Sequence, residues 1–137
     1  MKPHDASLRA ELESLLATLE RIARSAAARR QRAAGRHKLG GPALDAKVAP
    51  YFAGVTLPAL QRLSPGIVNA RLRLEALDAS PGDTTHAEFR ALTELADRID
   101  IGRAALLAAA ERVRASSEQR RTARVAAPPS GDGGRAA

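Results

Sequence analysis

Between residues 21 and 38 the sequence places Arg21, Arg24, Arg29, Arg30, Arg32, Arg36 and Lys38, with no acidic residue to offset them. A guanidinium group keeps its charge at any physiological pH and presents a planar fork of donors that pairs with phosphate oxygens. The chemistry this run offers is non-covalent: contact with the backbone of a nucleic acid or another polyanion. Arginines near a helix end also complement the helix dipole, but that effect reaches only about one turn, and this run spans several. A second basic group, Arg112, Arg114, Arg120, Arg121 and Arg124, is diluted by Glu111 and Glu118 and reads as a solvated helix exit. Outer helices packed parallel would bring the two groups to one end, whereas an even-numbered up-and-down bundle makes the outer pair antiparallel.

Groups suited to bond-making chemistry are sparse. His4, His37 and His86 lie far apart, and none has the partner four residues away that a helical metal pair needs. The absence of cysteine excludes a thiol nucleophile, a thiolate metal site and a disulfide framework. No serine occupies a Gly-x-Ser-x-Gly elbow, and residues 35–41 lack the Gly-Lys-Ser/Thr ending of a phosphate loop. Glu94, Asp97 and Asp100 recur at three-residue steps, an acidic stripe better suited to meeting arginines of this chain or another copy than to acid–base catalysis. The sequence therefore argues against an enzyme and implies no cofactor and no metal. Recognisable nucleic-acid modules are missing too, since no zinc spacing occurs and Tyr51, Phe52 and Phe89 are too few aromatics for an RNA-binding sheet. A helix-turn-helix over residues 56–77, with Ser64-Pro65-Gly66 as its turn and Asn69, Arg71 and Arg73 on the reading helix, is a weaker option.

The elements that must position the basic groups read as helices. At 137 residues the chain fits one domain and can bury a core without staples. Its 45% hydrophobic content is largely alanine and leucine, which suits close helix packing. The formal charge of +7 is unevenly placed: −2 over residues 1–20, +7 over 21–38, +1 over 39–66, −3 over 67–100 and +4 over 101–137. Such a field favours encounter with anionic partners without choosing among them.

The first helix is expected over residues 7–34, capped by Asp5 or Ser7, ending at Gly35 or at the firmer stop Gly40-Gly41-Pro42. Its front half carries Leu8, Leu12, Leu15, Leu19, Ile22 and Ala26 at alternating steps of four and three, a coiled-coil-like seam of three heptads. The middle reads as short helices broken at Pro50 and before Ser64-Pro65. Residues 67–77 fit both a helix and a strand period, and helix is preferred because no second strand is visible. Thr85-His86-Ala87-Glu88 has capping-box spacing. The segment that this box opens is either one helix to about residue 121 or two helices divided near Asp100 and Gly102. Residues 15–30 and 106–121 are similar at an offset of 91, which chance explains as well as a structural repeat. Residues 126–137, with Pro-Pro and Gly-Gly pairs, read as a disordered tail after a single helical domain over 1–125.

The expected fold is thus an all-α bundle of four or five helices with a long basic N-terminal helix, a proline-broken middle and a disordered C-terminal tail. The expected function is non-enzymatic contact with a nucleic-acid backbone, non-specific in sequence, through Arg21, Arg24, Arg29, Arg30, Arg32, Arg36 and Lys38. The alternative is a helical adaptor, secretion-type chaperone or assembly subunit whose face of Leu8, Leu12, Leu15, Leu19 and Ile22 mates with a partner helix or a second copy, its basic run docking on an acidic protein surface. Binding at a membrane surface ranks last, because Glu11, Glu13 and Glu20 sit in the apolar-striped half. The longest apolar run, residues 104–110, is far short of the roughly 18–20 residues that span a bilayer; with no signal-peptide pattern at the start, a cytoplasmic protein is expected.

Overall fold

The computed structural model describes residues 3–126, and every regular element among them is helical. In order these are α1 (Pro3–His37), α2 (Gly41–Tyr51), a π-helical turn (Phe52–Thr56), α3 (Leu57–Ala79) and α4 (His86–Ala126). Because α2, the π turn and α3 follow without interruption, the chain makes three rods rather than four or five helices. The expected tail falls on residues outside those described, except Ala126, which ends α4.

The prolines fail to break the middle rod for two local reasons. Pro50 and Pro65 stand on its exposed side, where a carbonyl deprived of its donor can tilt outward to solvent at the cost of some curvature. Pro58 falls immediately after the π turn, in which the Leu57 N–H donates to the Phe52 carbonyl five residues back. The wider turn makes room for the proline ring where the hydrogen-bond register is already changing. Ser64-Pro65-Gly66 consequently lies inside α3, and no helix-turn-helix forms over residues 56–77. Residues 67–77 are helical throughout.

The two glycines that looked like breaks are notches for packing. A Cβ on Gly66 would stand 3.2 Å from Leu15 Cδ2, and one on Gly102 would stand 2.9 Å from Leu19 Cδ2. Their missing side chains let α3 and α4 approach α1, so α4 continues through Gly102 as one helix. Gly35 does not stop α1 either; the helix ends at His37, and Lys38 takes the left-handed turn at φ 53°. Ser7 lies within α1 instead of capping it. At the start of α4 the capping box forms: the Glu88 N–H donates to Thr85 Oγ1 at 3.1 Å and the Thr85 N–H donates to Glu88 Oε1 at 2.8 Å. That backbone N–H holds the Glu88 carboxyl below the usual range.

The core has two parts. Leu8, Leu12, Leu16 and Leu19 of α1 pack with Leu60, Ala70, Leu74 and Leu77 of α3 and with Leu92, Ala96, Ile99 and Leu106 of α4. Further along, Ala26 packs with Leu44, Val48 and Phe52 and with Ala110 and Val113. Each fully buried leucine contributes roughly 1.5–3 kcal/mol. Leu8, Leu12 and Leu19 are only 2–3% exposed, and Leu15 and Ile22 are half-buried against the same core. The helices that mate with this stripe are α3 and α4 of its own chain, so the face expected to meet a partner helix is spent internally.

The pairing of early α1 with early α4, and of late α1 with late α4, makes these two rods parallel. An odd number of rods has this consequence, and it reverses the antiparallel arrangement implied by an even count. Arg98 reaches Glu20 at a sequence separation of 78, so the segments similar at an offset of 91 are not level with each other.

Candidate polyanion-binding end

Parallel packing carries the exits of α1 and α4 to the same end of the bundle, where α2 completes the triangle. The two basic groups of the sequence therefore share one end. What they can bind depends on whether carboxylates within the fold neutralise them.

Several carboxylates along the bundle are engaged away from this end. Glu11 accepts from Arg73 at 2.7 Å, Asp100 and Asp97 from Arg71, and Glu20 from Arg98 at 3.4 Å. Glu94, Asp97 and Asp100 thus do not converge on a reaction centre; two of them hold one arginine of α3. At the basic end, Asp45 of α2 takes Arg30 at 2.8 Å, its side chain only 13% exposed. On α4, Arg114 is bound by Glu111 at 2.6 Å and by Glu118 at 3.5 Å, and Arg121 meets Glu118 at 4.0 Å. The hydrogen bond from Arg114 holds the Glu111 carboxyl below the usual range and raises the guanidinium in return.

The remaining cations of this end have no carboxylate partner among the described residues. They are Arg24, Arg32, Arg36 and Lys38 of α1 and its exit, and Arg112, Arg120 and Arg124 of α4, all exposed. Arg21 only donates to Thr18 Oγ1, at 3.3 Å. Arg29 lies over the Tyr51 ring, its guanidinium carbon 5.1 Å from the centroid, an arrangement that orders the side chain without removing its charge.

Three of these residues share a concavity. On a helix, Arg29, Arg32 and Arg36 recur at three- and four-residue steps and line one edge, which here faces α2. With His37 and with Lys47 of α2 they surround a cavity of about 340 Å³ whose lining contains no acid. Lys47 and Tyr51 are the contributors that sequence reading missed. Their signal was spacing: they stand four apart on α2, hence on one face.

A metal site is not evident, as no cluster of three or more His, Cys, Asp or Glu occurs among the described residues. His86 contacts Arg90 at 3.2 Å beside the α4 cap, far along the chain from His37. No described helix is long and apolar enough to cross a membrane. No protein-family model matches the chain, and no curated protein or solved structure matches it significantly.

Proposed function

We propose that this is a non-enzymatic binding protein whose basic end holds a polyanion, foremost the sugar-phosphate backbone of a nucleic acid. The observation that supports this reading is the segregation of ion pairs. Carboxylates engage Arg71, Arg73 and Arg98 along the bundle, while Arg29, Arg32, Arg36 and Lys47 gather around a concavity without an acid, with Lys38 at the exit of α1. Arg112, Arg120 and Arg124 extend the positive field around the same end, with Arg21 and Arg24 further along α1. Arg30, Arg114 and Arg121, already paired, contribute less. Such a field concentrates phosphate groups locally and speeds encounter, and it selects no base sequence.

The test is the salt dependence of binding, read by fluorescence anisotropy of labelled oligonucleotides. Six to ten phosphate contacts make affinity fall by about 10³ to 10⁵ between 50 and 200 mM salt. Absence of binding to any single- or double-stranded DNA or RNA at the lowest salt rejects the proposal.

A further inference from the structure

The edge of α1 that carries Arg29, Arg32 and Arg36 continues backward through Ser25 to Arg21, at the same helical spacing. There a second cavity of about 190 Å³ opens between α1, α2 and the π turn, with walls from Ile22, Tyr51 and Val55 and polar groups from Arg21, Ser25 and Thr56. The two concavities meet at the Arg29–Tyr51 pair. From Arg21 to Arg36 the track is about 22 Å long at 1.5 Å per residue.

Thr56 distinguishes the second cavity from a surface dent. The residue is 1% exposed, and its buried Oγ1 has no hydrogen-bond partner among the described residues. A helical threonine ordinarily returns its hydroxyl to a carbonyl three or four residues back. Here it belongs to the π turn, a helix form concentrated at functional sites, and it lines a cavity with an unmet donor and acceptor.

We infer that the α1/α2 groove takes a single nucleic-acid strand, with phosphates in the cavity of Arg29, Arg32, Arg36 and Lys47 and an unpaired base in the cavity of Tyr51, Ser25 and Thr56. This rests on the polyanion reading and adds the kind of strand to it. A duplex keeps its bases stacked inside a convex cylinder, out of reach of a concavity this small; an unpaired base brings a flat apolar face and a polar edge together. Tyr51 and Val55 suit the face, and the Thr56 and Ser25 hydroxyls suit the edge. A basic groove interrupted by an aromatic side chain is the general design for strand binding without strict sequence choice.

The experiment compares four probes on the full chain at fixed salt: a 12-nucleotide DNA strand, its duplex, an abasic strand of equal length and inorganic polyphosphate. The intact strand should bind about tenfold more tightly than the abasic strand and the duplex. Thr56→Val should reduce intact-strand affinity to the abasic level and leave polyphosphate affinity unchanged. Since that substitution replaces an unmet hydroxyl with a methyl of the same shape, its melting temperature should equal or exceed the parent's, which separates lost binding from lost folding. Equal affinity for intact and abasic strands, or a Thr56→Val variant that binds the intact strand normally, overturns the inference while the polyanion reading stands. A variant that loses polyphosphate as well overturns it by showing a general effect, and failure of all four probes overturns both.

Discussion

Substituting alanine for Gly102 tests the packing that makes α1 and α4 parallel. In an exposed helix interior, Gly→Ala gains about 0.8–1.0 kcal/mol from backbone entropy. Here the new Cβ would stand 2.9 Å from Leu19 Cδ2, closer by most of an ångström than the roughly 3.5–4.0 Å optimum for carbon pairs. Leu19 is 2% exposed and hemmed in by the core, so its methyl has nowhere to swing. Overpacking of this kind costs about 1–3 kcal/mol, which outweighs the propensity gain and leaves Gly102→Ala about 1 kcal/mol less stable than the parent. In a Leu19→Ala background, itself about 2–5 kcal/mol destabilised, the clash is gone and the same Gly102→Ala change should stabilise by about 1 kcal/mol. Urea denaturation of the four proteins in this cycle measures the coupling. If Gly102→Ala stabilises the parent as much as it stabilises the Leu19→Ala protein, α4 does not lie against α1 at this level, and the argument that the two basic groups share one end fails.

Releasing Arg30 should increase polyanion binding: Asp45→Asn frees one cation, steepening the logarithmic salt slope by up to about one unit. Because the Arg30 side chain is 39% exposed and thus well screened, the accompanying loss of stability should be only about 1 kcal/mol. Lys38→Gly should stabilise by about 0.5–1 kcal/mol in urea denaturation, because glycine accepts the positive φ at no steric cost, whereas an unchanged midpoint would argue against that end of α1. Thr85→Ala should cost about 1 kcal/mol by removing the α4 cap. Since the folded-state pKa of Glu88 is lowered, its share of the cap is present above the usual glutamate range and is lost as pH falls through the lowered value. Glu88→Gln should therefore flatten the acid limb of a stability–pH profile.

What could be read from the sequence was local. The Thr85–Glu88 box depends on a four-residue spacing and nothing distant, and it forms as expected. The apolar face of α1 follows from helical periodicity, although the core takes Leu16 more deeply than Leu15. What could not be read was whether a glycine or proline breaks a helix, because that depends on its surroundings. Gly66 and Gly102 are read as weak points until Leu15 and Leu19 are seen against them; Pro50 is read as a break until its place on the exposed side of the middle rod is seen. These few positions reduced four or five expected helices to three rods, and the parity of that count fixes whether the ends of α1 and α4 lie together. The candidate site was legible to the same degree. Arg29, Arg32 and Arg36 could be named from charge and periodicity, while Lys47, Tyr51 and Thr56 join them only because the middle rod crosses that edge of α1.

The charge pattern has a physical consequence of its own. Residues 21–38 carry seven cations and no acid, and among the described residues Asp45 is the one carboxylate that pairs with that run. Packing like charges together along an exposed edge opposes compactness, and a bound polyanion relieves that repulsion. A ligand that binds only the folded state also raises its stability by mass action. Added oligonucleotide should therefore raise the melting temperature at low salt and lose this effect at high salt.

The most direct measurement of the central claim is an NMR titration of isotope-labelled protein with a short single-stranded oligonucleotide at low salt. The predicted result is a set of amide shifts over residues 21–38, α2, the π turn and the last turns of α4, with residues 67–100 unaffected. Shifts centred on residues 67–100, or no shifts at all, would contradict it.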